Sequence, residues 1–400
     1  MKATLKHRDR MCQINLDLTW ESDLKGFFET LEEPFPVLIN LNLYTMVNGL
    51  WDGNPLNPVK FLGGSTRLQS LSLTGIPFPG LPKYLLSFTD LVDLRLNEIP
   101  LCGFFSPDAM VTALSALTRL KVLHLTHLYG PRFPSLPDRE NRHLPLVTRT
   151  VLPLPSLTVL RVKGDNEHLE DFMARIDAPL LDYLEVAFTW TSINRDIVLD
   201  TRQLLRFISR IPNFQAPDKA HIGIDTYTSK CWINFLWPKH ISSTVRLEIH
   251  CFMPEQQIPH LVQFCHPPFF PLPTLKYLYI GGGQYLPQSQ LSSVEHTLWP
   301  EILQPFTAIK NLYLTKEFAS AIAHALQGVA GEGAMILPTL ENVFIEFQPS
   351  GSVHDAIGKF AAVRQLSGHP VVIHHLDKKA GHTAGWREWI NVCRLTGGLQ

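Results

Sequence analysis

One hydrophobic pattern recurs along the chain: an apolar residue, two variable positions, an apolar residue, one variable position, an apolar residue. It reads Leu38-x-x-Leu41-x-Leu43, Leu68-x-x-Leu71-x-Leu73, Leu91-x-x-Leu94-x-Leu96, Leu120-x-x-Leu123-x-Leu125, Leu157-x-x-Leu160-x-Val162 and Leu181-x-x-Leu184-x-Val186. It returns as Leu275-x-x-Leu278-x-Ile280, Ile309-x-x-Leu312-x-Leu314 and Leu340-x-x-Val343-x-Ile345. Degenerate copies, Ile222-Gly-Ile224 and Leu247-Glu-Ile249, fill the gap between the two groups, and Ile14-Asn-Leu16-Asp-Leu18 and Val371-Val-Ile373 extend the series at its two ends. The mean spacing is about 30 residues, at the long end of the leucine-rich-repeat range.

The final apolar-x-apolar step has the period of a strand, so its two apolar residues point to one side. Helical signals lie between the copies. Ser106 followed by Pro107 is an N-cap and first-turn pair. Apolar residues fall at helical spacing in 167–176, 201–211, 294–303, 316–329 and 353–366. Strand–helix units of this length predict parallel strands joined by right-handed crossovers. The expected fold is α/β: an irregular leucine-rich-repeat solenoid of about 11–13 units over residues 1–376, with a curved parallel sheet on the concave side and helices on the convex side. The position that carries Asn in regular repeats holds Met46, Ile76, Ile99, Leu128, Asp165, Thr189, Gly283, Glu317 and Gln348 instead, hence "irregular".

Composition adds detail. Leucine is 60 of 400 residues, which the repeat interior accounts for. Proline is 31, and Pro155, Pro179, Pro273 and Pro338 each stand just ahead of a repeat strand, where proline ends a helix and sets an extended entry. Residues 130–155, rich in Pro and Arg, read as a mobile surface loop inserted between two units. Residues 377–400 read as a tail. Its segment 384–395 carries Trp386, Trp389, Ile390 and Cys393 at i, i+3, i+4 and i+7, the stripe of an amphipathic helix that caps the last unit.

The formal net charge is −1, which disfavours a nucleic-acid binder built on a broad basic surface. The stretch 256–275 lacks Lys, Arg, Asp and Glu but is broken by prolines, so it is no membrane helix. No apolar run follows the N-terminal charges as in a secretory signal, and the six cysteines form no CxxC pair. The expectation is an intracellular protein, cytoplasmic or nuclear, with free thiols, no cofactor, and neither nucleic acid nor membrane as partner.

Candidate chemistry is sparse. Gly281-Gly-Gly283 lacks the rest of a phosphate-loop motif and reads as a strand-to-loop turn. His374 and His375 would alternate across a strand, which makes them poor co-ligands within the cluster His369, His374, His375 and His382. Asp165, Glu167, Glu170 and Asp171 suit a helix N-terminus better than a catalytic pair. Cys265-His266 are neighbours in a Pro-rich stretch, which does not set a thiolate against a base.

The strand positions that face away from the leucines say more. They are polar early in the chain, charged in the middle and aromatic late. Arg95, His124, Arg161, Lys163, Arg246, Tyr277, Tyr279, Tyr313 and Phe344 are the candidate protein-binding residues, because aromatics beside charges are typical of interaction hot spots. The competing reading is that these aromatics pack on one another as cross-strand neighbours.

The Leu-Pro-x-Leu-x-x-Leu entries at Leu154, Leu272 and Leu337, with the stretches 168–179, 305–314 and 364–370, give the chain a resemblance to fungal F-box-type leucine-rich-repeat proteins over residues 12–376. The resemblance implies a substrate receptor of a cullin-type ubiquitin ligase, in which an F-box docks the adaptor and the repeats hold an unknown protein partner. An F-box needs roughly forty residues ahead of the repeats, whereas the first strand begins near Cys12. A repeat array without ligase recruitment, such as a truncated family member, is therefore the alternative. A (β/α)8-barrel enzyme is a second alternative, disfavoured because the strand signals exceed eight.

Overall fold

A computed structural model describes residues 4–18, 21–45, 55–56, 58, 60–64, 67–127, 151–189, 199, 201–225, 227–237, 243–251, 257–265, 272–282, 298–328, 336–346 and 352–376. In chain order the strands are β1 (Gln13–Asp17), β2 (Asn40–Tyr44), β3 (Ser70–Thr74), β4 (Asp93–Ile99), β5 (Val122–His127), β6 (Leu152–Pro153), β7 (Val159–Gly164), β8 (Ile176–Asp177) and β9 (Tyr183–Thr189). They continue as β10 (Lys219–Asp225), β11 (Lys230–Leu236), β12 (Thr244–His250), β13 (Tyr277–Gly282), β14 (Asn311–Leu314), β15 (Asn342–Ile345) and β16 (Val372–His375). The helices are α1 (Glu21–Thr30), α2 (Leu81–Leu85), α3 (Pro107–Leu114), α4 (Asn166–Met173), α5 (Arg202–Ser209), α6 (Gln257–Cys265), α7 (Leu298–Leu303), α8 (Lys316–Gly328) and α9 (Ser352–Leu366). The fold is mixed α/β with parallel-dominated sheets.

The chain divides into two compact units. Unit 1 is Met1–Pro217 with Thr228–Gln263, and unit 2 is Asp218–Tyr227 with Phe264–Gln400. In unit 1 the strand order is β1-β2-β3-β4-β5-β7-β9-β12-β11. The predicted apolar positions pair strand to strand. Leu41, Leu71, Leu94, Leu123, Leu160, Leu184 and Val245 form one row; Leu43, Leu73, Leu96, Leu125, Val162, Val186 and Leu247 form the next. All are buried. A one-residue slip would turn each row out to the opposite face, so the leucines themselves fix the register. In unit 2 the order is β10-β13-β14-β15-β16, all parallel, with the row Ala220, Leu278, Leu312, Val343 and Ile373.

The strand entries share one device. The N–H of the first leucine donates to the carbonyl three residues back: Leu157 to Leu154, Leu181 to Ala178, Leu275 to Leu272, Leu340 to Leu337. Pro155, Pro179, Pro273 and Pro338 thus occupy the second position of a four-residue turn, which their fixed φ suits. They set the turn that feeds the strand, and do not stop a preceding helix as the sequence suggested. Leaving β3, Gly75 has φ +70, and a Cβ there would lie 2.6 Å from the Thr45 carbonyl oxygen. Only glycine fits that crossing.

Two expectations need correction. The strands are not all parallel, and their order is not the chain order. β12, not β10, pairs with β9 in unit 1, and β11, which the pattern missed, runs antiparallel to β12. The reason is connection length. Only residues 237–243 join β11 to β12, and a parallel pair needs a crossover of about a dozen residues or more. The degenerate copies are also offset by two residues. Val245 and Leu247 continue the unit 1 rows, and Ala220 and Ile222 continue those of unit 2. An even offset leaves the side chains on the expected faces. Residues 128–150 and 377–400, hence most of the expected insert and all of the expected tail with its helix, lie outside the described residues, while Leu152–Pro153 pair with Ile176–Asp177.

Helix signals hold where they can be read. The Ser106 hydroxyl accepts from the Ala109 N–H (3.2 Å) and caps α3; the Asp165 carboxylate accepts from the His168 N–H (2.8 Å) and caps α4. Glu170, read as helix-dipole acid, does something more specific. It is buried, and its two oxygens accept from the N–H groups of Gln203 (2.7 Å) and Leu204 (3.0 Å), so one helix caps the next.

Candidate functional site

In unit 1 the residues between the two leucine rows form an outward row: Asn15, Asn42, Ser72, Arg95, His124, Arg161, Glu185 and Arg246. It begins with amides, the Asn42 side chain donating to that of Asn15 at 2.8 Å, and turns charged at Arg95. Arg95 makes a two-pronged contact with Asp93 two residues back on its own strand (2.9 and 3.0 Å). Arg161 faces Glu185 across the strands at 3.6 Å and lies 5.0 Å above the Tyr183 ring. The Tyr183 hydroxyl donates to Glu185 at 2.6 Å, and burial followed by that carboxylate's charge raises its pKa.

His124 sits between Arg95 and Arg161 and is only 8% exposed. Burial, then the charges of Arg161 and Arg95, lower its pKa to about 3. It is a neutral imidazole in a cationic row.

Glu248 is the centre of the band. It accepts from Arg246 (2.6 and 3.0 Å) and pairs with His250 (2.6 Å) and Lys230 (3.3 Å). Burial alone would raise its pKa. The hydrogen bond from His250 and the charges of Arg246 and Lys230 outweigh it and hold the carboxyl well below the usual carboxylate range. Arg246 also lies 5.0 Å over the Trp232 ring. The pKa of Lys163 is lowered by burial first and by Lys230 second, with Glu248, Glu98 and Glu185 opposing. The sequence missed Tyr183, Lys230 and Trp232. Tyr183 was legible as the position before the middle leucine. Lys230 and Trp232 were not, because β11 carries no repeat signature.

A second cluster lies on the leucine side of the same strands. His127, on β5, and His168, on α4, face each other at 5.0 Å, with Phe104 5.3 Å from each and Phe105 5.8 Å from His127. Both imidazoles are buried. Burial, then the neighbouring His168, lowers the pKa of His127 to about 3.

In unit 2 the outward row is aromatic: His221, Tyr279, Tyr313, Phe344 and His374 in register. Phe344 stacks on Tyr313 (centroids 4.5 Å, planes 8° apart) and on His374 (4.6 Å, 13°). His221 meets Tyr279 edge-on at 4.5 Å. Beside this row, Asn342 donates to Asn311 at 3.0 Å and Lys219 lies 5.7 Å over the Tyr277 ring. Ring faces are therefore spent on other rings, as the packing alternative supposed, and ring edges remain outward. Tyr279 is 8% exposed, while Tyr277, Tyr313 and Phe344 are half-buried. Tyr279 lies against Gly281, where a Cβ would be 2.6 Å from its hydroxyl oxygen. The first two glycines of 281–283 thus belong to β13.

His374 turns to Phe344 on the outward side, with His375 on the other. Burial pushes the Cys265 thiol up to about 12. Among the described residues no three His, Cys, Asp or Glu side chains come together as a metal cage, and no helix is long and apolar enough to cross a membrane.

No protein-family model matches the chain. No curated protein matches it either. Among solved structures it is similar to the crystal structure of the leucine-rich-repeat-containing protein LegL7 from Legionella pneumophila, at 14% sequence identity and a TM-score of 0.33, over 90% of this chain and 99% of that one.

Proposed function

We propose that this chain is a non-catalytic, protein-binding scaffold of the leucine-rich-repeat type, with a partner held along the outward strand residues. The observation that carries the reading is the outward row of unit 1. From Arg95 to Arg246 it sets guanidinium, imidazole and carboxylate groups one strand apart, about 4.8 Å. Such a periodic, mixed-charge ladder suits the side chains of an extended protein segment better than a small metabolite. Two features support the absence of catalysis: the most perturbed carboxylate, Glu248, is occupied by Arg246, His250 and Lys230, and His124 is hemmed in by arginines. A role as substrate receptor of a ubiquitin ligase, and an intracellular setting, rest on the sequence alone: the repeat phrases for the first, cysteines without a paired CxxC spacing for the second.

The test is affinity capture with cross-linking, using the full chain as bait. Arg95→Glu reverses an exposed member of the row, Tyr313→Ala removes an aromatic member, and Lys83→Glu, on α2, is the control. The expected result is a partner lost with Arg95→Glu or Tyr313→Ala and retained with Lys83→Glu. A partner set indifferent to both row variants would reject the reading.

A further inference from the structure

Within unit 1, the adjacent strands β7, β9, β12 and β11 carry a surplus of positive charge on their outward side. Four cations, Arg161 and Lys163 on β7, Arg246 on β12 and Lys230 on β11, stand with two carboxylates, Glu185 on β9 and Glu248 on β12. Burial lowers the pKa of His250, so it adds no full charge at neutral pH. On β4, Arg95 and Asp93 neutralise each other, and Glu98 is exposed, where solvent and salt screen it. The two carboxylates are already engaged. Glu248 holds Arg246 and Lys230, and Glu185 accepts from the Tyr183 hydroxyl. Lys163 is left over. It is half-buried, yet among the described residues its ammonium makes no hydrogen bond and no ion pair. Its register neighbour on β9 is Ala187, a methyl group with nothing to offer an ammonium, and Glu248 lies one strand further on. Beside it, the buried Nε of Arg161 makes no hydrogen bond, only the 3.6 Å approach to Glu185. The lowered pKa of Lys163, from burial first and Lys230 second, fits a cation short of a counter-charge.

We propose that this band seats an acidic, extended segment of a partner protein, one of whose carboxylates settles over Ala187 beside Lys163, with Arg161 and Lys230 adding attraction. The proposal rests on the scaffold reading above and names the chemistry of its partner. Charge complementarity selects the occupant. A basic segment would meet four cations, and every one of its charges would add to the surplus. A nucleic acid brings one charge with every phosphate, and its unbroken run would press on Glu185 and Glu248, which lie between the cations. A peptide whose carboxylates are separated by neutral residues can meet the cations and leave those two carboxylates alone. It also supplies what Lys163 lacks: a charge-assisted hydrogen bond for an ammonium already largely removed from water.

The experiment is fluorescence anisotropy at low salt with the full chain and three probes carrying the same dye. The first is a peptide of alternating Ser and Glu, about twelve residues long and so able to cross all four strands. The second has Lys in place of Glu, and the third is a single-stranded DNA of similar length. The expected result is that the acidic peptide binds at least about tenfold more tightly than either of the others. Lys163→Gln should weaken it about fivefold or more, and Lys83→Glu, on α2, should leave it within about twofold. Lys163→Gln removes a half-buried charge with no partner, so its urea midpoint should not fall. Four results would overturn the proposal: an acidic peptide bound no better than the basic one, DNA bound as tightly, affinity untouched by Lys163→Gln, or a fall in the urea midpoint of that variant large enough to account for the loss. If these probes fail while affinity capture still loses its partner with Arg95→Glu, only the acidic chemistry is wrong. A captured partner set indifferent to the row variants rejects the scaffold reading separately.

Discussion

The two units present the same strand register with opposite chemistry. In unit 1 the outward row is charged and closes its polar groups through ion pairs centred on Glu248. In unit 2 the same row is a stack of rings from Tyr313 through Phe344 to His374. Leucine rows on the other face are common to both, so the difference shows that the interior sets the geometry and leaves the outward residues free to vary. The consequences differ too. The charged band rests on buried ion pairs, whereas the aromatic ladder rests on ring stacking.

That contrast can be broken most forcefully at Glu248. Glu248→Ala leaves Arg246 and Lys230 beside a lost counter-charge, and breaking a buried ion pair costs about 3–5 kcal/mol. Urea denaturation should show that loss, with hydrogen exchange placing it in unit 1. An unchanged midpoint would mean that solvent already screens the cluster.

Acid should separate the units next. His124 and His127 have folded pKa values of about 3, below the ordinary 6.5, so the unfolded chain binds more protons between those limits. Their contribution to stability is complete above pH 6.5 and is lost as pH falls toward 3, by roughly 2 kcal/mol for each histidine at pH 5. Glu248 has its pKa depressed as well, so its contribution is lost only at lower pH, below the ordinary carboxylate value. His250 and His260 are shifted down and also lie in unit 1. Hydrogen exchange at pH 5 and pH 7 should therefore loosen unit 1 selectively. Equal loosening of both units would remove the contrast.

A smaller effect is expected in the ladder. Phe344→Ala deletes a ring stacked on both sides but half-open to solvent, a loss of about 1–2 kcal/mol of stability read by urea denaturation. The smallest is Arg95→Ala. An exposed pair with Asp93 contributes within about 0.5 kcal/mol, so melting should barely move. A clear drop in melting temperature would show that Arg95 serves the fold and not a partner.

Much of this was legible in the residues. The leucine copies fixed which side chains point inward, because a period of two allows only one buried face. For the same reason the outward list from Arg95 to Phe344 fell on the correct side, even where a copy was misplaced by two residues. What was not legible is how outward residues pair. Tyr183 with Glu185, and Trp232 under Arg246, depend on which strand lies next to which, and β11 has no repeat signature to announce it. His127 and His168 meet because α4 packs on β7 and β9, a contact that no spacing encodes.

The sequence by itself determined the mixed α/β class, the buried rows and the alternation of faces, since all three follow from local periodicity and the burial of leucine. The tertiary structure alone decided that β12 precedes β11 in the unit 1 sheet, that β10 joins unit 2, and that one carboxylate, Glu248, answers Arg246, Lys230 and His250. Those outcomes depend on loop length and on the burial of particular charges. Neighbours along the chain do not reveal them, because desolvation and ion pairing are properties of the packed neighbourhood.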